Sequence, residues 1–449
     1  MINKEYRSLI RKIKDKLSGQ RLDSFELFLS HTHGLLIEIK DKEIDVFSSA
    51  QHGGVSLRVI KDKKPGFSFC TQPSAEIASA LVDRALLAAD STDPDPFVSF
   101  PSATDKPFPV LNQFDETLET IPLKEKIETA RRLEAAAKTT DRRIRKVRKA
   151  SYQETTRTIG VINSMGVSSS YSSTLVAGSI YVVAEEGNNA EAGWDYDFSP
   201  FFQELDLDAI GQNAAQRALT MLGARSIETI KVPAILPPHI ATEILNILSG
   251  SFRADNVQKG KSMLIGRIGS PLFSHLINIV DDGLYPGGIA SAPFDDEGTP
   301  RTRTVLVTGG VPGALLYDQY TANKSSTSST GNAGRASIKT PPSVTNTNFY
   351  IKKGQLSVEE LLSSITKGFM VMDIMGIHTA DPISGQFSVG ASGLWIQGGE
   401  IAFPVKGVAI SGNILDIFKN VDGVGNDLRF YGSFGSPTLR VSELQISGR

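Results

Sequence analysis

Residues 281–335 read DDGLYPGGIASAPFDDEGTPRTRTVLVTGGVPGALLYDQYTANKSSTSSTGNAGR, a concentration of polar residues that is unusual for a core segment. Two acidic turns carry five carboxylates, and a Ser/Thr/Gly/Asn loop closes the stretch at Arg335. Between the polar segments lie two short apolar runs, Thr304 to Thr308 and Ala314 to Tyr317. Each run has the length of one strand, so the stretch predicts short strands joined by polar loops.

These polar segments allow two interpretations. Asp-Gly and Glu-Gly steps are turn signals and Ser/Thr/Gly runs are typical of loops, so the residues can serve structure alone. Alternatively, the acidic turns and the loop line one cavity, where carboxylates hold a peptide's amino terminus or a lysine and backbone donors meet its carbonyls. The candidate peptide-binding residues are Asp281, Asp282, Asp295, Asp296, Glu297, Ser329, Thr330, Gly331, Asn332 and Arg335. In the structural interpretation the carboxylates instead pair with Arg301, Arg303 or Arg335 and only fix the loops.

The composition of the 449-residue chain is that of an ordinary globular protein, with 40% hydrophobic and 21% charged residues. The length predicts two or three domains. A net charge of −2 gives no basic surface, so direct binding to nucleic acid is not expected. The single cysteine, Cys70, excludes an internal disulfide and fits a reducing, cytoplasmic compartment. The charged N-terminus and the lack of a run of about 18 apolar residues predict neither signal peptide nor membrane span.

The first half of the chain predicts helices packed on antiparallel strands. Residues 2–17 form an amphipathic helix whose apolar face is expected to pack on the core. An alternating pattern between Ser24 and Thr71 predicts a meander of strands, with His31, His33 and His52 in its loops. Further helices are expected after a Ser74 cap and over residues 123–138 and 208–222, and further strands over residues 159–162 and 172–184. This pattern predicts an α+β domain spanning residues 1–228.

The second half is predicted to be mostly β. Residues 240–248 are a short helix candidate, and Ser357 is placed to cap another helix. Alternating apolar residues between 394 and 441 predict several further strands, and the frequent glycines permit bulges in them. We therefore expect a β-rich second domain over residues 229–449.

Several ordered segments of the chain carry a resemblance to a known family. They include the acidic turns and the Ser-Thr-Gly-Asn loop described above. The other matching segments are Gly54-Val55-Ser56-Leu57-Arg58, Gly66-Phe67, Thr345-Asn346, Ser384-Gly385-Gln386-Phe387-Ser388-Val389-Gly390-Ala391, Gly399-Glu400 and Pro404-Val405. On these segments the sequence resembles the TldD/PmbA family, also called modulators of DNA gyrase, over nearly its whole length. The resemblance implies an α+β first domain, a β-rich second domain, a dimer, and zinc peptidase activity on short or unfolded peptides.

The zinc motif of that family is not present in this sequence. The zinc-bearing branch has His-Glu-x-x-x-His shortly before a Lys-Gly step, together with a cysteine near the C-terminus. Counting back from Lys259-Gly260, the two histidines fall on Leu245 and Gly250 and the glutamate falls on Asn246. The segment 430–435 holds no cysteine. Leucine and glycine have no side chain that binds a cation, and a neutral amide cannot act as a general base.

The chain therefore resembles the PmbA branch, called TldE where it partners TldD, which joins the zinc-bearing subunit and helps to enclose its peptide cavity. The resemblance implies a chain without catalytic residues or a metal of its own, whose partner is a zinc-bearing TldD-like subunit or a second copy. His239 and Glu243 could contact one ion, but two ligands make a poor site. One alternative is a peptide- or protein-binding regulator without a proteolytic role. Another is a hydrolase that uses His275 or His378, although no G-x-S-x-G elbow accompanies them.

Overall fold

A computed structural model describes residues 4–105 and 107–448 of the chain. The first half contains four α-helices and six strands within these residues. The helices are α1 Lys4–Ser18, α2 Ala78–Asp90, α3 Leu123–Thr140 and α4 Leu207–Thr220. The strands are β1 Ser24–Lys40, β2 Glu43–Lys61, β3 Lys64–Cys70, β4 Ile144–Asn163, β5 Ser168–Glu186 and β6 Asn189–Ser199.

The six strands form one antiparallel sheet in the order β3-β2-β1-β4-β5-β6. Alternate residues of β1, such as Leu27, Leu29 and Ile37, point to one face and are buried there. Helices α1 and α2 cover that face at one end of the sheet, and α3 and α4 cover it at the other. The predicted antiparallel sheet with helices is thus confirmed, because strand alternation leaves one apolar face for amphipathic helices to cover.

The predicted loop positions of the three histidines are wrong. His31 and His33 lie inside β1 and His52 lies inside β2, where Thr32 pairs with His52. β1 and β2 form one long hairpin whose turn is at Asp41 and Lys42, so cross-strand pairing overrides the polar residues. The cap predicted at Ser74 is also absent, since its side chain caps no helix and a short 3₁₀ turn precedes α2.

The second half is β-rich, as predicted. Its helices are α5 Pro238–Ser249, α6 Ala254–Gln258, α7 Gln319–Lys324, α8 Val358–Ser363 and α9 Ile414–Lys419. The strands are β7 Ile230–Leu236, β8 Ile279–Asp282, β9 Arg303–Thr308, β10 Val311–Pro312, β11 Ala333–Gly334, β12 Ser343–Val344, β13 Asn348–Ile351, β14 Lys367–Met375, β15 Gln386–Gln397, β16 Glu400–Asn413, β17 Val421–Val424, β18 Arg429–Tyr431, β19 Phe434–Ser436 and β20 Leu439–Ser447.

Two six-stranded sheets organise this half. One has the order β16-β15-β14-β7-β20-β17, and an additional pairing of β16 with β20 closes it into a barrel. The other has the order β10-β9-β8-β13-β19-β18. Helix α5 contributes Ile244, Leu245 and Leu248 to the core that both sheets share. The barrel leaves few free strand edges, which limits unwanted pairing with other chains.

One predicted strand does not form. The run from Ala314 to Tyr317 contains only an isolated bridge, between Leu316 and Arg253. Leu316 exchanges backbone hydrogen bonds with the segment between α5 and α6, and the chain then enters α7. A short apolar run of this kind signals burial, and the lack of a neighbouring strand keeps it from extending a sheet.

The two halves pack against each other through the second face of the first sheet. Phe28 and Val161 of that face contact Phe294, which belongs to the acidic stretch of the second half.

The α+β class expected from the sequence is confirmed. None of the helices in residues 4–105 and 107–448 combines the length and the apolar character needed to cross a membrane.

Candidate functional site

The acidic turn at residues 295–297 is held by its own carboxylates. Asp295 Oδ1 accepts hydrogen bonds from the backbone N–H groups of Glu297 and Thr299 at 3.0 and 2.9 Å. Its other oxygen accepts from the N–H of Ala333 at 3.0 Å. Asp296 Oδ2 accepts from the N–H of Arg335 at 2.8 Å. These bonds join the acidic turn to the chain that follows the Ser-Thr-Gly-Asn loop.

The Ser-Thr-Gly-Asn loop is fixed in a similar way. Asn332 donates to Asp281 Oδ1 at 2.8 Å, and Thr347 donates to both oxygens of that carboxylate. Thr330 Oγ1 donates to Asn332 at 2.6 Å. Gly331 adopts a φ of +75°, and a Cβ there would lie 2.4 Å from the carbonyl oxygen of Pro300. Only glycine allows this close approach of the loop to the acidic stretch.

The structure therefore brings the predicted segments together as a buried hydrogen-bonded core. Asp281, Asp282, Asp295, Asp296 and Glu297 are all less than 10% exposed. Gly331 and Asn332 are buried too. Ser329 and Thr330 are half-buried, and both of their hydroxyls donate to the carbonyl oxygen of Tyr317. Of the ten candidate peptide-binding residues, only Glu297 lines the large cavity described below. For the other nine this geometry favours the structural interpretation.

Four charged side chains, three of them buried, connect this core to the first sheet. Arg58 of β2 donates to both oxygens of Glu26 of β1, at 2.9 and 2.6 Å, and to Glu297 at 2.8 Å. Arg335 donates to Glu26 and stacks over the ring of Phe28. The side chains of Glu26, Glu297 and Arg335 are at most 2% exposed. We call Glu26, Arg58, Glu297 and Arg335 the junction network.

The junction network balances two carboxylates with two guanidinium groups. Burial alone would lower the pKa of Arg58, but Glu26 and Glu297 outweigh it and raise that pKa. Burial raises the pKa of Glu297, although Arg58 opposes the shift. Burial and the nearby charge of Glu297 raise the pKa of Asp295, while the backbone N–H groups of Ala333 and Thr299 oppose that rise. Charges this deeply buried are stable only when they are paired. Because the partners come from both halves of the chain, the pairing fixes the position of one half relative to the other.

A cavity of about 640 Å³ opens beside the junction network, between the two halves. Arg58 and Glu297 form part of its wall. The apolar residues that line the cavity come from the first sheet, α2, the connection after α2 and the segment that ends in β12. They are Val59, Ile60, Pro65, Phe67, Ala88, Val98, Phe100, Pro341, Pro342 and Val344. We call this space the interdomain cavity.

Helices α6 and α7 supply most of the polar wall of the interdomain cavity. Asp318 is 5% exposed and caps α7, with its Oδ1 accepting from the N–H and hydroxyl of Thr321. Asp255 holds Lys259 through Oδ2, and its buried Oδ1 has no hydrogen-bond partner among the residues that the structure describes. Lys324 lies over the ring of Tyr320.

The positions that would carry zinc ligands by resemblance have a different environment. Leu245 is fully buried in the core of the second half, together with Phe252 and Phe349. Asn246 is exposed on α5, and Gly250 begins a 3₁₀ turn whose carbonyl accepts from Asn256. These residues do not fit a zinc ion, because they offer neither imidazole nor thiolate nor carboxylate. Throughout residues 4–105 and 107–448, no three His, Cys, Asp or Glu side chains cluster as metal ligands would.

His239 and Glu243 lie in different environments. The Nε2 of His239 lies 2.9 Å from the carbonyl oxygen of Met372, and its ring packs edge-on against Trp194. Burial lowers the pKa of His239 to about 4, so the imidazole is neutral and donates to that carbonyl. Burial and the charge of Asp373 raise the pKa of Glu243 to about 7. The pair therefore serves packing rather than an ion.

Sequence reasoning missed the two members of the junction network that belong to the first sheet, Glu26 and Arg58. Glu26 sits between Phe25 and Leu27 on an alternating strand and is therefore expected on a solvent face. It is buried because the second half of the chain covers that face, through Arg335, 309 positions away. Asp318 carried a usable signal, since an aspartate before a helical segment with threonine three residues later is typical of an N-cap.

Comparisons with known proteins place the whole chain near one family. Models described as PmbA/TldA metallopeptidase domain 1, central domain and C-terminal domain match residues 25–89, 116–222 and 229–448. A relative named Metalloprotease PmbA from Escherichia coli O157:H7 is 28% identical over 97% of this chain and 94% of its own. A Metalloprotease TldD homolog from Haemophilus influenzae is 25% identical over 97% of this chain and 95% of its own.

Solved structures show the same fold. A proposed modulator of a DNA gyrase from Thermotoga maritima aligns with a TM-score of 0.92 at 24% identity, covering 98% of this chain and all of that one. TldE from Thermococcus kodakarensis aligns with a TM-score of 0.89 at 22% identity, covering 99% of this chain and all of that one. At these identities the structures establish the shared fold.

Proposed function

The chain belongs to the PmbA/TldD family of metallopeptidases, and from that premise we propose that it works in peptide processing as a subunit without a catalytic centre of its own. One observation carries the proposal: Leu245, Asn246 and Gly250 stand where the resemblance expects the two histidines and the glutamate. A residue in the hydrophobic core and a glycine cannot bind zinc, and an amide cannot accept a proton from water. The fold of the family is kept, while the groups that would activate water are missing.

The proposal implies a partner. A chain without its own catalytic centre contributes to proteolysis only by joining a zinc-bearing member of the family, or by presenting peptide to one. We propose that the β-rich second half forms the contact, with a zinc-bearing relative or with a second copy. Light scattering at micromolar concentration should give the mass of a dimer, and a monomer would contradict this part of the proposal.

Metal content and peptide cleavage test the proposed function directly. The purified chain should retain far less than about one zinc per chain after dialysis, measured by elemental analysis. It should cleave no unfolded peptide alone, whereas a mixture with a zinc-bearing relative should cleave faster than that relative by itself. Stoichiometric zinc in the isolated chain, or peptide cleavage by it, would overturn the proposal.

A further inference from the structure

We infer that the interdomain cavity binds a peptide ammonium group attached to an apolar residue, either the amino terminus of a peptide or a lysine side chain. This inference rests on the proposed role in peptide processing and assigns the chemistry of the ligand. The site lies between the first sheet and helices α6 and α7, and apart from Glu297 it uses none of the residues of the acidic stretch predicted to bind peptide.

The shape of the cavity suits one or two residues of a peptide. A volume of about 640 Å³ lies within the range of natural ligand pockets, roughly 300 to 1,000 Å³. Phe67, Val98 and Phe100 form an apolar wall on the side of the first sheet, and the Pro341-Pro342 segment forms a second one. Apolar walls with a few converging polar groups are typical of sites that hold an apolar group in one orientation.

The charges of the lining favour a cation. Four carboxylates line the cavity, Asp95, Asp255, Glu297 and Asp318, against three cations, Arg58, Lys259 and Lys324. The charge of the Arg58 guanidinium is already balanced by two carboxylates, which weakens its attraction for an anionic ligand. Lys259 is paired with Asp255, so two of the three cations are engaged.

Two carboxylate oxygens of the cavity lining accept no hydrogen bond from the residues that the structure describes. Asp318 Oδ2 accepts no hydrogen bond from the residues that the structure describes, while Oδ1 is used to cap α7. Asp255 Oδ1 is buried without a partner, and it belongs to the neighbouring helix α6. An ammonium group in the cavity would supply donors and charge to Asp318 Oδ2, while the Asp255 carboxylate adds negative charge nearby.

Peptide binding separates the two sources of the ammonium group. Fluorescence anisotropy would follow short glycine-serine peptides labelled at their C-terminus. The probes carry a free amino-terminal phenylalanine, the same residue acetylated, or an acetylated end with one internal lysine. A free-amine peptide that binds about tenfold tighter than its acetylated form assigns the amino terminus. Tight binding of the lysine peptide alone assigns the side chain. Equal binding of all three peptides, or no binding, overturns the inference.

Two variants with matched controls locate the binding. Asp318→Asn keeps the helix cap and removes the charge, so it should weaken binding about tenfold. Asp206→Asn makes the same change at the cap of α4 and should have no effect. Val98→Trp should block binding by filling the cavity, whereas Val110→Trp, at a residue 99% exposed in the same connection, should not. Unchanged binding in both cavity variants overturns the inference.

The outcome is separable from that of the proposed function. If both cavity variants bind peptide normally and still support cleavage in the mixture, the cavity assignment fails and the proposed function stands. If the wild-type chain binds ammonium peptides at the cavity but never enhances cleavage by a zinc-bearing relative, the proposed function fails and the binding site stands.

Discussion

Single carboxylates in this protein differ in how their charge is compensated. Asp295 is fully buried and accepts three backbone N–H groups, which fixes the acidic turn to the loop that follows it. Glu243, on α5, accepts no hydrogen bond from the described residues, and the charge of Asp373, whose own pKa is raised by burial, acts on it. A carboxylate that meets desolvation and a like charge retains its proton near neutral pH.

This environment predicts that Glu243 makes stability fall as pH rises. The pKa of Glu243 is about 7 in the folded chain against 4.5 for the unperturbed group, so between these values only the folded state holds the proton. Its stabilising contribution is full below about pH 4.5 and is lost as the pH rises through 7. Relative to Glu243→Gln, the wild type should lose about 1 kcal/mol of unfolding free energy between pH 5 and 8, less than the full shift because solvent partly reaches the group.

Urea unfolding of both proteins at pH 5 and pH 8 measures this difference. Glu400→Gln changes an exposed glutamate on β16 in the same half of the chain and serves as the control. A stability difference between wild type and Glu243→Gln that is the same at both pH values would refute the assignment.

At the scale of elements, the two serines predicted to cap helices behave differently. Ser357 forms a capping box on α8: its hydroxyl accepts from the N–H of Glu360, whose carboxylate accepts from the N–H of Ser357 at 2.7 Å. Ser74 makes no capping bond to the 3₁₀ turn that precedes α2. Both sites have a serine, but only Ser357 is followed three residues later by a glutamate. A capping box needs that glutamate to return a hydrogen bond to the serine backbone.

The contrast gives a prediction with a built-in comparison. Ser357→Ala should cost about 1 kcal/mol of unfolding free energy, since it leaves a backbone donor of α8 without its acceptor. Ser74→Ala should cost only a few tenths of a kcal/mol, as expected where no cap bond is lost. Denaturant titrations of both variants provide the measurement, and equal losses would show that the capping box does not stabilise α8.

At the scale of the whole molecule, the junction network fixes how the two halves meet. Glu26 accepts from Arg58 and from Arg335, so one carboxylate of the first sheet joins residues from both halves. A second link, between Lys406 of β16 and Glu191 of β6, also crosses the junction, but the Lys406 side chain is 46% exposed. Buried and exposed pairs that span the same junction should therefore contribute very differently.

Removing the shared carboxylate should destabilise the chain strongly. Glu26→Gln removes the carboxylate charge that the guanidinium groups of Arg58 and Arg335 share, with an expected loss of roughly 3 to 5 kcal/mol. Lys406→Gln should cost less than about 1 kcal/mol, because its charge stays in contact with solvent. Calorimetry should show a large drop in melting temperature for Glu26→Gln, with the two halves unfolding as separate transitions. Similar melting temperatures for the two variants would show that the network does not hold the halves together.

Amphipathic spacing predicted α1, alternation predicted the antiparallel strands, and a serine ahead of a helical pattern predicted the cap at Ser357, because each signal is complete within a few residues. The residue types at positions 245, 246 and 250 also sufficed for a chemical conclusion, since a side chain without a ligand atom cannot bind zinc in any fold.

Tertiary structure decided whether the polar residues face solvent, a ligand or each other. The residue types of the acidic stretch fit both a peptide-binding site and a set of structural turns. Burial of Asp281 and Asp295 among backbone donors favours the structural turns. The sequence patterns around Glu26 and Arg58 show which strand residues share a face, but not what covers that face. Their partners, Glu297 and Arg335, lie hundreds of residues away. Desolvation and charge pairing depend on distances in space, and those distances exist only after the two halves have packed together.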